Sequence, residues 1–178
     1  MARLNGDSVP ETWSTATRRW LLLAGAVLLC LVLSALQQWR SSHVLLINLT
    51  QSLPNWAFLI ERGRLPARGD YIFFQPPPGE MLRRHFGEKR QPFGKLVLGM
   101  PGDVVAHQGP LVTINGRPVV AMKPRTRLGE PLTPGQTGPV PRGCYFAGSA
   151  HKDGFDSRYA EIGFVCRRQI IGTGVSIL

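Results

Sequence analysis

Every residue from Trp20 to Leu36 (WLLLAGAVLLCLVLSAL) is apolar or small, and no other feature constrains this chain as strongly. At about 1.5 Å per residue the run spans about 26 Å, enough to cross a bilayer core. Trp20 and Trp39 sit where interfacial aromatic anchors belong, so residues 20–39 read as one transmembrane helix. A cleaved signal peptide would carry a shorter run ending in an Ala-x-Ala-like site, which Ser34-Ala35-Leu36-Gln37 matches poorly. Arg18, Arg19 and Arg3 precede the run, whereas Arg40 alone follows it closely. The positive-inside bias then puts residues 1–19 in the cytoplasm and residues 40–178 outside. For a bacterial chain this is an inner-membrane protein, single-pass, with a periplasmic domain.

The formal net charge of +10 raises nucleic acid as a partner. The arginines are scattered in pairs, however, with no aromatic-interleaved basic stripe, and an exported domain rarely meets DNA. Attraction to the anionic headgroups of the lipid bilayer accounts for the charge without nucleic acid. No Cys/His cluster has metal-ligand spacing, and His43, His85, His107 and His151 are dispersed, so neither a metal nor any other cofactor is expected.

Beyond the membrane run the chain is a series of short strands separated by turn signals. His43–Thr50, Trp56–Ile60 and Tyr71–Phe74 are β-branched, apolar or aromatic. Residues 75–93 read as an insertion with one short helix, whose Met81, Leu82 and Phe86 form an exposed edge able to touch lipid or substrate. Lys95 opens a strand that stops at Pro101-Gly102, and Asp103–Ala106 continues extended. Asn115-Gly116 is a type I′ hairpin turn between Leu111–Ile114 and Arg117–Val120. Residues 123–142, rich in proline and glycine, form a long surface loop. Cys144–Ala147 and Gly163–Cys166 are strands, and Ile170–Leu178 closes the sheet. The expected fold class is mostly β, an antiparallel domain over residues 40–178 behind one N-terminal helix.

Two residues carry candidate chemistry. Lys95 stands at the mouth of a core, where an ammonium is costly to desolvate and a lysine becomes a candidate general base; the alternative is a side chain that snorkels to water. Ser52, left at a strand end before Leu53-Pro54, is either a turn residue or a nucleophile.

Three segments in order resemble the Ser-Lys signal peptidase I family, and within it the TraF-type conjugative-transfer peptidases. Lys95–Asp103 (KLVLGMPGD) matches the lysine motif with Leu96 in place of arginine. Asp156-Ser157-Arg158-Tyr159 is identical to the end of the last motif, and Asn48–Pro54 (NLTQSLP) is similar to the TraF-type serine motif. The resemblance implies a signal-peptidase-type β fold and a serine endopeptidase. Ser52 would be the nucleophile, Lys95 the base, Thr50 an aid to the oxyanion, and Asp156 and Arg158 a pair shaping the site. It implies an exported precursor as substrate, most specifically the pilin-like prepeptide of a conjugation or type IV secretion system, hydrolysed or cyclised. A general leader peptidase is the alternative enzyme, and a non-catalytic envelope assembly module the alternative of another class. The chain departs from general leader peptidases at Gly154, where they carry a serine that bonds the lysine. Gly148-Ser149-Ala150-His151 likewise replaces their Gly-Asp-Asn-Arg. Cys144 and Cys166, on strands flanking the Asp156 loop, either form a disulfide in an oxidising compartment or stay reduced as small hydrophobes.

Overall fold

The structure is a computed structural model and describes residues 14–47, 53–89 and 91–177. It divides into two units, Met1–Ser41 and Ser42–Leu178. In the first, α1 (Thr15–Ser42) is a 28-residue helix with no buried side chain. The Ser14 hydroxyl accepts the Thr17 N–H at 3.2 Å, the geometry of an N-cap. The helix overruns the expected 20–39 span at both ends because nothing in its polar flanks breaks a helix. It is long and apolar enough to cross a membrane, and fits a single-pass anchor. Arg3 lies outside the described residues.

The second unit runs β1 (His43–Ile47), β2 (Ala57–Glu61), β3 (Tyr71–Phe74), α2 (Glu80–Phe86), β4 (Phe93–Gly99), β5 (Val104–Gln108), β6 (Leu111–Ile114), β7 (Arg117–Ala121), β8 (Gly138–Pro139), β9 (Cys144–Gly148), β10 (Val165–Cys166) and β11 (Ile170–Ser176). These strands make two antiparallel sheets, ordered β1-β2-β11-β3-β4-β9-β10 and β7-β6-β5-β8. The mostly β, antiparallel expectation holds. The β6–β7 turn is as read: Asn115 and Gly116 take φ of 51° and 77°, the left-handed pair that a type I′ turn requires.

Three expectations are corrected. The C-terminal strand does not close the sheet; β11 lies inside it, between β2 and β3. Its Gly-Thr-Gly sequence explains the position, because a Cβ on Gly172 would fall 2.6 Å from Ile60 Cγ2 and one on Gly174 would collide with the Phe73 ring. Leu82 does not sit on an exposed edge. It is buried in the core with Ile72, Phe74 and Val97, and pins α2 to the sheet, while Phe86 stays 40% exposed. The strand expected over Trp56–Ile60 is shifted by one residue to β2, and Trp56 is exposed. Residues 48–50 of the first expected strand lie outside the described residues.

β9 joins the two sheets. All five of its residues are buried: Tyr145 and Ala147 pack in the cluster around Val97, and Cys144 and Phe146 in a second cluster with Val105, Val112 and Ile114. A strand buried on both faces has little tolerance for register slip. Its pairing with β10 sets Cys166 opposite Cys144, and the two form a disulfide. Replacing both cysteines with alanine is expected to lower the unfolding free energy by about 3 kcal/mol, the chain-entropy value for a loop of this size. Denaturant titration in detergent reads the loss. Thiol counting on unreduced, denatured chain should find one free thiol, from Cys30.

Candidate active site

Alternation along β4 decides where Lys95 points. Lys95, Val97 and Gly99 are the buried residues of the strand, so the lysine shares its face with core side chains. It is the third residue of β4 and pairs with Ile72 of β3, deeper than a strand mouth. Only 4% of its surface is exposed. Burial pushes the Lys95 ammonium below the ordinary lysine range; the Asp156 carboxylate pulls it up and the Arg158 guanidinium pushes it down.

Asp156 and Arg158 are 0% and 2% exposed and form a two-pronged pair. Arg158 Nε donates to Asp156 Oδ1 at 2.8 Å, and Nη2 donates to Oδ2 at 2.9 Å. Two further donors are used, Nη1 on the Ala121 carbonyl at 2.9 Å and Nη2 on the Ser149 carbonyl at 2.5 Å. Asp156 Oδ2 also accepts the Ser149 N–H at 3.0 Å. The other two residues of Asp156–Tyr159 hold the loop from its sides. Ser157 exchanges two hydrogen bonds with Ala147 of β9, one through its hydroxyl and one through its backbone N–H. The Tyr159 phenol accepts the Lys123 N–H at 2.9 Å. All four residues are buried.

The departures at Ser149 and Gly154 now have a physical account. A Cβ on Gly154 would lie 2.5 Å from Ser149 Oγ, 2.8 Å from Arg158 Nη2 and 2.9 Å from Asp156 Oδ2. The Ser149 hydroxyl and the ion pair fill the volume that a serine at 154 would need. Sequence reasoning passed over Ser149, whose backbone serves both partners; its only signal was its place in Gly148-Ser149-Ala150-His151.

Lys95 lines a cleft of about 960 Å³. Leu46, Leu53 and Phe73 contribute one apolar wall, and Phe86, Phe93 and Phe155 an aromatic one. Phe86 touches both of the others, with centroids 4.8 Å from Phe93 and 5.8 Å from Phe155. Ser52 and Thr50 lie outside the described residues. The nearest described residues on either side, Ile47 and Leu53, both line the cleft. Leu53 also packs on Gly94, next to the lysine: a Cβ on Gly94 would fall 3.0 Å from Leu53 Cδ1. The structure thus brings Lys95, Asp156 and Arg158 together.

A buried lysine with a lowered pKa thus lies on the wall of the cleft, close enough to the Asp156–Arg158 pair to feel both charges. The sequence matches the family described as signal peptidase, peptidase S26, over residues 17–178, and the chain belongs to that family. Signal peptidase I from Leptolyngbya laminosa is 32% identical over 114 residues, 62% of this chain and 51% of the relative. The chain therefore spans about half the length of that curated relative. A crystal structure of signal peptidase I from Enterococcus faecalis V583 superposes with a TM-score of 0.38 at 25% identity, covering 62% of this chain and 97% of that one.

Two outcomes are expected. The unfolded chain binds a proton at residue 95 that the folded chain releases sooner, so folding strengthens as pH rises from the folded to the unfolded lysine titration. Lys95→Met removes this dependence. Its stability advantage over the parent should be largest at low pH and shrink as pH rises, read from unfolding midpoints across a pH series; parallel curves would refute the assignment. Gly154→Ser should destabilise by about 1 to 3 kcal/mol, the range for overpacking a filled interior, in the same measurement.

Proposed function

We propose that this chain is a membrane-anchored serine endopeptidase in which Lys95 activates Ser52. The observation that carries the reading is the contact between Leu53 and Gly94: the residue bonded to Ser52 packs on the residue bonded to Lys95, and Leu53 lines the lysine's cleft. Serine is inert near neutral pH unless a base takes its proton, and an ordinary lysine is already protonated there. Desolvation lowers the Lys95 pKa and so favours the uncharged amine that this role needs. Ser52 Oγ attacks the scissile carbonyl while Lys95 Nζ takes the hydroxyl proton. As the peptide bond breaks, the same proton passes to the departing amine and leaves an acyl-serine. Water, or an amine of the substrate itself, then releases the acyl group. The Ser52 N–H and the Thr50 hydroxyl are assigned to the oxyanion through the family resemblance. Asp156 and Arg158 hold the loop and balance the field at Lys95.

The substrate we assign is an exported precursor of the pilin type, presented to a periplasmic domain anchored in the inner membrane. Two sequence features support this choice: the Ser52-Leu53-Pro54 motif, and Gly154 where general leader peptidases carry serine. A general leader peptidase is the second reading, favoured by the description of the curated relative as signal peptidase I. Full-length chain incubated with a conjugative pilin precursor, and separately with a secretory precursor, separates the two by mass spectrometry. A pilin product one water lighter than the linear cleavage product marks cyclisation. Ser52→Ala and Lys95→Arg should each abolish processing, the second because guanidinium stays protonated. Processing that survives Ser52→Ala sinks the nucleophile and returns the chain to an assembly role.

A further inference from the structure

The charges lining the cleft are lopsided. Its described lining includes Lys123, Arg125 and Arg127 in addition to Lys95, and one carboxylate, Asp153. Lys123 and Arg127 converge on that carboxylate, Lys123 through Oδ1 and Arg127 through Oδ2 at 2.8 Å. The place is built rather than incidental. Lys123 is fixed at its backbone by the Tyr159 phenol, within the segment that carries the Asp156–Arg158 pair. Asp153 is fixed by its N–H, which donates to His151 Nδ1 at 3.2 Å. Its side chain is 15% exposed, whereas those of Lys123 and Arg127 are 41% and 73% exposed. The acid is therefore the sheltered partner and the cations face the cleft. Arg125 is held apart, its guanidinium on the Gly129 carbonyl at 2.7 Å. One carboxylate shared by two cations leaves capacity for a second.

We infer that Lys123 and Arg127 form a subsite selecting an acidic side chain of the precursor near the scissile bond. This rests on the peptidase reading above and deepens it by naming a substrate preference. The Asp153 carboxylate holds the two cations together, and an incoming glutamate or aspartate completes their neutralisation. An apolar residue fits the Leu46, Leu53 and Phe73 wall, so the cleft reads two chemistries along one extended peptide. A basic residue at the charged position meets uncompensated cations and is rejected.

The test uses full-length chain in uncharged detergent and a fluorogenic peptide spanning a cleavage site, with glutamate, glutamine or lysine placed in turn at each flanking position. At one position kcat/KM should favour glutamate over glutamine by about five-fold, the scale of a partly exposed charge pair, with lysine poorest. The preference should fade as salt is raised. Lys123→Gln/Arg127→Gln should bring the glutamate-to-glutamine ratio to about one, and Lys123→Glu/Arg127→Glu should invert the order. Equal cleavage of all three peptides at every position overturns the subsite and leaves the peptidase reading intact, as does a double glutamine variant that slows all three alike. Anisotropy binding of the same peptides to the Ser52→Ala chain supplies a readout without turnover. Charge-selective binding by a chain whose parent cleaves nothing would keep the subsite and sink the peptidase. Binding indifferent to charge overturns the subsite.

Discussion

The buried pairing of Asp156 with Arg158 is the interaction on which the site depends. Taking two charges out of water costs more than their attraction returns unless every other donor and acceptor is satisfied. Here the surplus donors of the guanidinium reach the Ala121 and Ser149 carbonyls, and the carboxylate takes the Ser149 N–H. Those partners come from the end of β7 in one sheet and the residue after β9 in the other. The pair is therefore a tie between sheets as well as a local contact, and it fixes the loop between β9 and β10. The disulfide between those strands closes the same loop at its base.

Pairing also settles the electrostatics of Lys95. A lone buried carboxylate beside a lysine would stabilise the ammonium and keep the amine protonated. With Arg158 clamped on the carboxylate, the attraction from Asp156 is opposed by repulsion from the guanidinium, and desolvation is the largest influence left. The neighbouring ion pair can thus order the site without cancelling the desolvation that lowers the lysine pKa. Gly154 belongs to the same solution. With Ser149 holding both partners through its backbone, its hydroxyl sits where a side chain at 154 would go, and only glycine leaves the pair its place.

What was legible in the sequence was what local chemistry decides. The Asn115-Gly116 turn, the long apolar helix and the strand carrying Lys95 could each be read from contiguous sequence. The antiparallel class followed from many short strands with turn signals. Strand order could not be read, because the position of β11 depends on Phe73 and Ile60 lying opposite its glycines, residues about a hundred positions away in the chain. Leu82 was misread for a related reason: a short helix shows its polar face in sequence, but which residue it buries depends on the sheet beneath. The cysteines were undecided because register alone brings them face to face, and register is a property of two strands. Lys123 and Asp153 are 30 residues apart, no local pattern joins them, and only the fold brings them into contact at the cleft.

The approach of Leu53 to Gly94 shows how the same long-range packing bears on chemistry. A serine hydroxyl is a poor acid, so its base must stand within hydrogen-bond reach before lowered basicity matters at all. Nothing in Asn48–Pro54 or Lys95–Asp103 encodes a distance between them. What the structure fixes is the setting of Leu53 and Lys95, through the strands that lead in and the bulk around Gly94. β4 is held between β3 and β9, and β1 delivers the chain to Ile47 on the cleft wall. At the crossing Gly94 presents no side chain, and Leu53 comes within van der Waals contact of the β4 backbone. A larger residue at 94 would have to displace both Leu53 and the Phe73 ring, since its Cβ would also meet Phe73 Cε1 at 2.7 Å. The glycine before the lysine therefore leaves room for Leu53 and the Phe73 ring on one face of β4, while alternation along the strand turns Lys95 to the other face with Val97.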